Sequence, residues 1–138
     1  MSSHKIKDLS QSVRIYRDHS IKKGKSESLE QIDAYQWFKY QYPNLSLAMF
    51  HVPNEQRASV QYQSKLNQMG RLKGVSDLIL LHPCSGSPYA LFELKRADNG
   101  SISKEQKAFL NHHAEQGAFV CVCYGAEQFK LAIKDYLS

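Results

Sequence analysis

Cysteine is scarce, with three thiols in 138 residues, and no two of them form a Cys-x-x-Cys pair. Cys121 and Cys123 sit too close in sequence for an ordinary bridge, so a disulfide scaffold is excluded and a thiolate zinc site is not expected. Free thiols fit a reducing compartment, which makes the cytoplasm (the host cytoplasm for a phage-encoded chain) the expected location. No apolar run approaches the ~20 residues of a membrane helix, and the N-terminus lacks the apolar core of a signal peptide. Neither a membrane span nor secretion is expected. There is no G-x-S-x-G elbow, no glycine-rich phosphate loop and no Ser-His-Asp spacing, so hydrolases of those kinds find no support. His112 and His113 have no acidic or histidine partner at a metal-ligand spacing and are read as surface or core-edge residues. Acid is the minority charge: 13 Asp and Glu stand against 18 Lys and Arg, for a net charge of +5. With a pI near 9.1, that balance suits a polyanionic partner, although charge says nothing about fold.

What is present is enough for one compact domain, since 42% of the residues are hydrophobic and can fill a core. The composition changes near residue 28. Residues 1–27 form a basic, polar extension, with Ile6, Leu9, Val13 and Tyr16 at helical spacing. A partly ordered tail with a solvated charged face is expected there, in preference to an amphipathic arm that docks on the domain or a second copy and tracks DNA phosphates. Residues 28–138 carry the folded domain. Ser28 to Gln41 reads as a helix with Ser28 as its N-cap, and Pro43 ends it. Ser46 to Val52 reads as a strand, and Val60 to Met69 as a helix stopped by Gly70. A hairpin, a helix opening at Ser103, a strand at Ala118 to Tyr124 and a helix at Ala126 to Leu137 complete the order. That order predicts an α/β fold in which helices flank a small mixed sheet.

The hairpin carries the chemistry. Leu78 to Leu81 is a short apolar run, His82 to Pro88 holds turn residues, and Tyr89 to Leu94 is again strand-like. Strand alternation puts Glu93 and Lys95 on one face, and antiparallel pairing brings Asp77 beside them. Two carboxylates held together repel, and one takes up a proton unless a cation lies between them. A hard divalent ion fits. Mg²⁺ needs only one or two carboxylates, a backbone carbonyl such as that of Leu94, and a substrate phosphate, and Mn²⁺ is expected to substitute. Lys95 would help position a water and offset charge building on the phosphate. The implied reaction is phosphodiester hydrolysis.

Asp77 followed by Glu93-Leu94-Lys95 resembles the D…ExK pattern of the PD-(D/E)xK nuclease superfamily. Pro53-Asn54-Glu55, Gly74-Val75-Ser76-Asp77, Glu93-Leu94-Lys95-Arg96, Ser103-Lys104-Glu105-Gln106 and Gly117-Ala118-Phe119-Val120 are similar to blocks of its VRR-NUC family. Ser76 stands where that family usually has proline. The resemblance implies a restriction-endonuclease-like fold and a Mg²⁺-dependent DNA endonuclease. It also implies that an acid of the first helix, Glu30, reaches the metal, that Gln106 lies near the catalytic centre, and that Asn54 and Glu55 adjoin the site.

Each of those residues also has a plainer reading. Glu30 could simply complement the dipole of its own helix, Gln106 could close a capping box with Ser103, and Glu55 could be a solvated loop residue. Arg57, Lys65, Arg71, Lys73, Arg96, Lys104 and Lys107 are read as the cations that dock the phosphate backbone, against a solubilising role. Small stand-alone members of the family resemble junction resolvases. Branched DNA, such as a four-way junction, is therefore the expected substrate, and a homodimer with two clefts the expected assembly. A nucleic-acid-binding module of the same fold without cleavage is the alternative.

Overall fold

The computed structural model describes residues 6–53 and 59–138. At its centre are the strands Ala90–Lys95 (β4) and Phe119–Tyr124 (β5), buried along their full length. They run parallel, with Phe92 opposite Cys121 and Lys95 opposite Tyr124. Parallel neighbours need a crossover, and the helix Lys104–Glu115 (α3) supplies it. Leu78–Leu80 (β3) pairs antiparallel with β4, Leu78 facing Phe92, and Met49–His51 (β2) pairs antiparallel with β3. At the far edge Arg14–Tyr16 (β1) lies parallel to β5. The result is one five-stranded mixed sheet, β1-β5-β4-β3-β2.

Side-chain alternation divides the sheet into two unlike faces. Met49, Leu78, Leu80, Ala90, Phe92, Leu94, Phe119, Cys121 and Cys123 point to one side. There they pack under helices Glu27–Gln41 (α1) and Ala126–Leu137 (α4), which bring Phe38, Phe129, Ile133 and Tyr136. Each such buried aromatic or aliphatic side chain contributes about 1.5–3 kcal/mol, and Phe92 meets Phe129 edge-on at 5.1 Å between centroids. Leu91, Val120, Val122 and Tyr124 point the other way, toward α3 and its Leu110 and Ala114. Glu93 and Lys95 share the parity of Leu91, so they emerge on the α3 side. No helix is long and apolar enough to cross a membrane among the described residues.

The hairpin register and the helix, strand, helix order after it agree with the sequence reading. Three local features differ. Helix α1 starts at Glu27, because the Ser26 hydroxyl, and not that of Ser28, accepts the Leu29 N–H at 3.3 Å. Only Met49–His51 of the expected 46–52 strand is extended, since Pro43–Leu45 forms a 3-10 turn that delays the strand's entry. The basic extension is no tail over its described part. It supplies β1, with Ile6, Leu9, Val13 and Ile15 packed on the α3 side of the core. Asn111 of α3 anchors it, accepting from the Ser10 N–H at 2.8 Å and donating to the Asp8 carbonyl at 2.9 Å. The helix Val60–Gln68 (α2), by contrast, contributes no buried residue. It stops where Gly70 turns left-handed, at φ 110°.

Candidate metal and nucleic-acid site

The site grows from the register of the β3–β4 hairpin. One step beyond the Leu78–Phe92 pair, Asp77 arrives opposite Glu93. Its Oδ2 accepts the Leu94 N–H at 2.7 Å, which stitches the open end of the hairpin together. His51 of β2 steadies the same point, its Nδ1 donating to the Asp77 carbonyl at 2.6 Å. Sequence reasoning missed His51, whose only signal was its place at the end of an edge strand. Asp77 and Glu93 are near enough for each carboxyl to shift the titration of the other.

Around Glu93 the polar groups interlock. Glu93 is 1% exposed, and its Oε2 accepts from the Gln106 amide at 2.9 Å and pairs with Lys95 Nζ at 3.3 Å. Gln106 Oε1 in turn accepts from Lys95 Nζ at 3.3 Å and from the Ser103 N–H at 2.8 Å. With two donors on its oxygen and an acceptor on its nitrogen, the amide has one consistent orientation. The Ser103 hydroxyl completes a capping box by accepting the Gln106 N–H. Gln106 therefore serves as the cap of α3 and as a neighbour of the carboxylate at once, and the two readings of it are not exclusive.

Burial disfavours charge here. It raises the Glu93 carboxyl well above its usual range, the Asp77 charge pushes it further, and Lys95 pulls it back. Asp77 is raised as well, first by burial, with the Leu94 N–H and Lys95 opposing. Glu93 Oε1 meets no donor, and neither does the buried Ser76 hydroxyl beside Asp77 find a partner. Two acids of raised pKa and one orphaned carboxylate oxygen form a donor set of hard oxygens, short of positive charge. That fits a divalent ion such as Mg²⁺, which keeps most of its own waters.

Glu30 goes elsewhere. It is buried on the α1 side, and its Oε1 accepts the Ala126 N–H at 2.9 Å. The N-cap of α4 is Gly125, which has no side chain to offer, so Glu30 caps that helix from across the fold and meets the positive end of its dipole. Among the described residues no three Asp, Glu, His or Cys side chains group closely enough to hold an ion together. Glu30 thus stands apart from the Asp77–Glu93 pair.

The expected phosphate contacts scatter more widely. Lys65 of α2, Lys73 and Lys104 are exposed, and Lys107 is half-buried on α3. Arg71 donates to the side chains of Asn67 and Gln63. Arg96 stays part-exposed but is tied to its own loop and the N-terminal segment, its Nε on Asp98 Oδ1 at 3.0 Å and its Nη2 on the Gly24 carbonyl at 3.0 Å. Asn54, Glu55 and Arg57 lie outside the described residues.

Comparison with known proteins bears on the family and the fold. The chain is similar to a solved structure described as a "VRR_NUC domain protein", with 24% identity, a TM-score of 0.72, and coverage of 83% of this chain and 89% of that one. At that identity the likeness shows the fold. None of the curated proteins matches. The model of the VRR-NUC domain, a nuclease-type domain, matches residues 24–127, a span that holds Glu30, Asp77, Glu93, Lys95 and Gln106 alike. On that match, this chain belongs to the VRR-NUC domain family.

Proposed function

We propose that the protein is a Mg²⁺-dependent DNA endonuclease that cuts branched DNA as a homodimer. The observation that carries this reading is the hairpin register that brings Asp77 beside the buried Glu93, with Lys95 and Gln106 closed around Glu93 and its Oε1 left without a donor. A domain that only bound DNA would gain nothing from holding two acids side by side, one of them buried. Asp77, Glu93 and the Leu94 carbonyl would hold the ion. When bound, it would neutralise both carboxylates and polarise a phosphoryl oxygen. Mn²⁺ would fit the same ligands.

The remaining work falls to the chain's own groups. Lys95, a cation in a nearly dry site, donates toward the attacking water and the charge gathering on the phosphate. Gln106 fixes the Lys95 ammonium and Glu93 Oε2 relative to each other, so neither needs to reorganise during the reaction. Lys65, Lys73, Lys104 and Lys107 would follow the phosphate backbone. Glu30 acts at a distance, by holding the α4 N-terminus on the other face. Two strands cut in a junction call for two such clefts related by a two-fold axis, and hence for two copies.

The test is cleavage of labelled linear, flap and four-way-junction DNA in Mg²⁺, Mn²⁺, Ca²⁺ or EDTA, with Asp77→Ala and Lys95→Ala in parallel. Metal-dependent cutting, strongest on the branched substrates and lost in both variants while binding persists, supports the proposal. Binding without cutting in any metal favours a binding module of the same fold.

A further inference from the structure

Lys95 is a long side chain that must hold one geometry, and four freely turning bonds cost about 2 kcal/mol of rotamer entropy to fix. The strand alone does not fix them. The stem of Lys95 lies against Gly100, where a Cβ would sit 3.0 Å from Lys95 Cβ and 3.1 Å from its Cδ, so the 96–100 loop is the wall along which the ammonium is aimed. That loop is held from outside by the N-terminal segment. Arg17 Nη2 donates to the Asp98 carbonyl at 3.1 Å, and its guanidinium lies over the Tyr124 ring at 4.4 Å. Tyr124 is the residue paired with Lys95 across β4 and β5. Gly24 fits so closely that a Cβ there would stand 2.8 Å from Asp98 Oδ1 and 3.0 Å from the Ala97 nitrogen, and its carbonyl accepts from Arg96.

We infer that Arg17 and Gly24 are positioning residues for the Lys95 ammonium. Arg17 binds both flanks of the lysine, the loop through Asp98 and the neighbouring strand through Tyr124. Gly24 sets how near the loop can come. Arg17 precedes residues 24–127, the span of the family match, whereas Gly24, Asp98 and Tyr124 lie within it. The inference rests on the proposed role of Lys95 for its catalytic consequence, but not for its structural one.

Two readouts separate those consequences. The first is labelling of Lys95 by an amine-acylating reagent, followed by peptide mass spectrometry on the full-length protein without DNA. Lys95 is 3% exposed and should label slowly in the wild type. Arg17→Ala and Gly24→Ala should raise its labelling several-fold while exposed lysines such as Lys39 stay unchanged. The second readout is single-turnover cleavage at saturating metal. A displacement of about 1 Å in a catalytic group costs on the order of 10²-fold, so both variants should lose roughly 10- to 100-fold in rate, with DNA affinity within about twofold. Arg17→Lys keeps a cation over the ring and a donor for the loop, and should recover part of both. Circular dichroism of each variant checks that the fold persists. Wild-type labelling of Lys95 in folded Arg17→Ala and Gly24→Ala overturns the inference. Absence of cleavage by the wild type together with the expected labelling would sink the nuclease reading and leave the clasp standing.

Discussion

Among the described residues two glutamates are buried, one on each face of the same sheet, and their surroundings differ in kind. Glu30, on the α1 and α4 side, has the backbone N–H of Ala126 and the positive end of a helix for company. Glu93, on the α3 side, has a second carboxyl against it and an oxygen with no donor at all. Burial of an acid is therefore not the mark of a metal site. What distinguishes Glu93 is a neighbouring carboxyl and an oxygen without a donor, and the proposed metal site rests on that difference. Apart from Glu30, the core on the α1 and α4 side is apolar, whereas the α3 side gives up its end to Asp77, Glu93 and Lys95.

The largest effect should come from the Glu93 side. Asp77→Ala or Lys95→Ala should lower cleavage by about 10³-fold or more, in the range seen when one electrostatic stabiliser is lost. Labelled junction DNA reads this out, and DNA affinity should barely move. On the apolar face the matching loss is stability. Phe92→Ala removes a fully buried ring between the two covering helices and should cost about 3–5 kcal/mol in urea unfolding, with cleavage falling only as the folded fraction falls.

Glu30 sharpens the contrast most finely. Glu30→Ala leaves the Ala126 N–H buried without an acceptor and should cost about 1–3 kcal/mol. Glu30→Gln keeps an acceptor and should cost less than about 1 kcal/mol. Its cleavage should stay within tenfold of wild type in the junction assay, and a larger loss with stability retained would move Glu30 into the metal site.

The smallest effect has an unusual sign. Because burial raises both site carboxyls, the folded metal-free protein binds more protons than the unfolded chain at intermediate pH. Their contribution to stability is fully present below the unfolded carboxylate range and is lost as pH rises through the raised values. Glu93→Gln removes one of those titrating groups, so the stability of the metal-free variant should fall less steeply with rising pH than that of the wild type, and cleavage should be lost. Thermal unfolding in EDTA across pH 4 to pH 8 measures it, and Mg²⁺ should restore the wild type's stability by binding only the folded form.

The sequence made the acid-and-lysine end of the hairpin legible because every step there is local. Period-two alternation places Glu93 and Lys95 on one face, turn residues fix the hairpin, and Asp77 follows by register. The capping box at Ser103 and Gln106 was legible for the same reason, as its residues are three apart. Glu30 was half legible. Its spacing from Ala34, Trp37 and Phe38 puts it on an apolar stripe of its helix, but its destination depends on where α4 docks, 96 residues away. Strand β1 was not legible. Three residues, two of them Arg14 and Tyr16, show no apolar run, and the strand exists only because β5 offers it an edge from beyond residue 118. The Arg17 clasp escaped notice with it, since neither Asp98 nor Tyr124 is near Arg17 in sequence.

Calorimetric titration of Mn²⁺ into wild type, Glu93→Gln and Glu30→Gln tests the central claim most directly. The account predicts that wild type and Glu30→Gln bind the ion with similar affinity and that Glu93→Gln does not bind it. Retained binding in Glu93→Gln, with binding lost in Glu30→Gln, would contradict it and place the ion on the opposite face of the sheet.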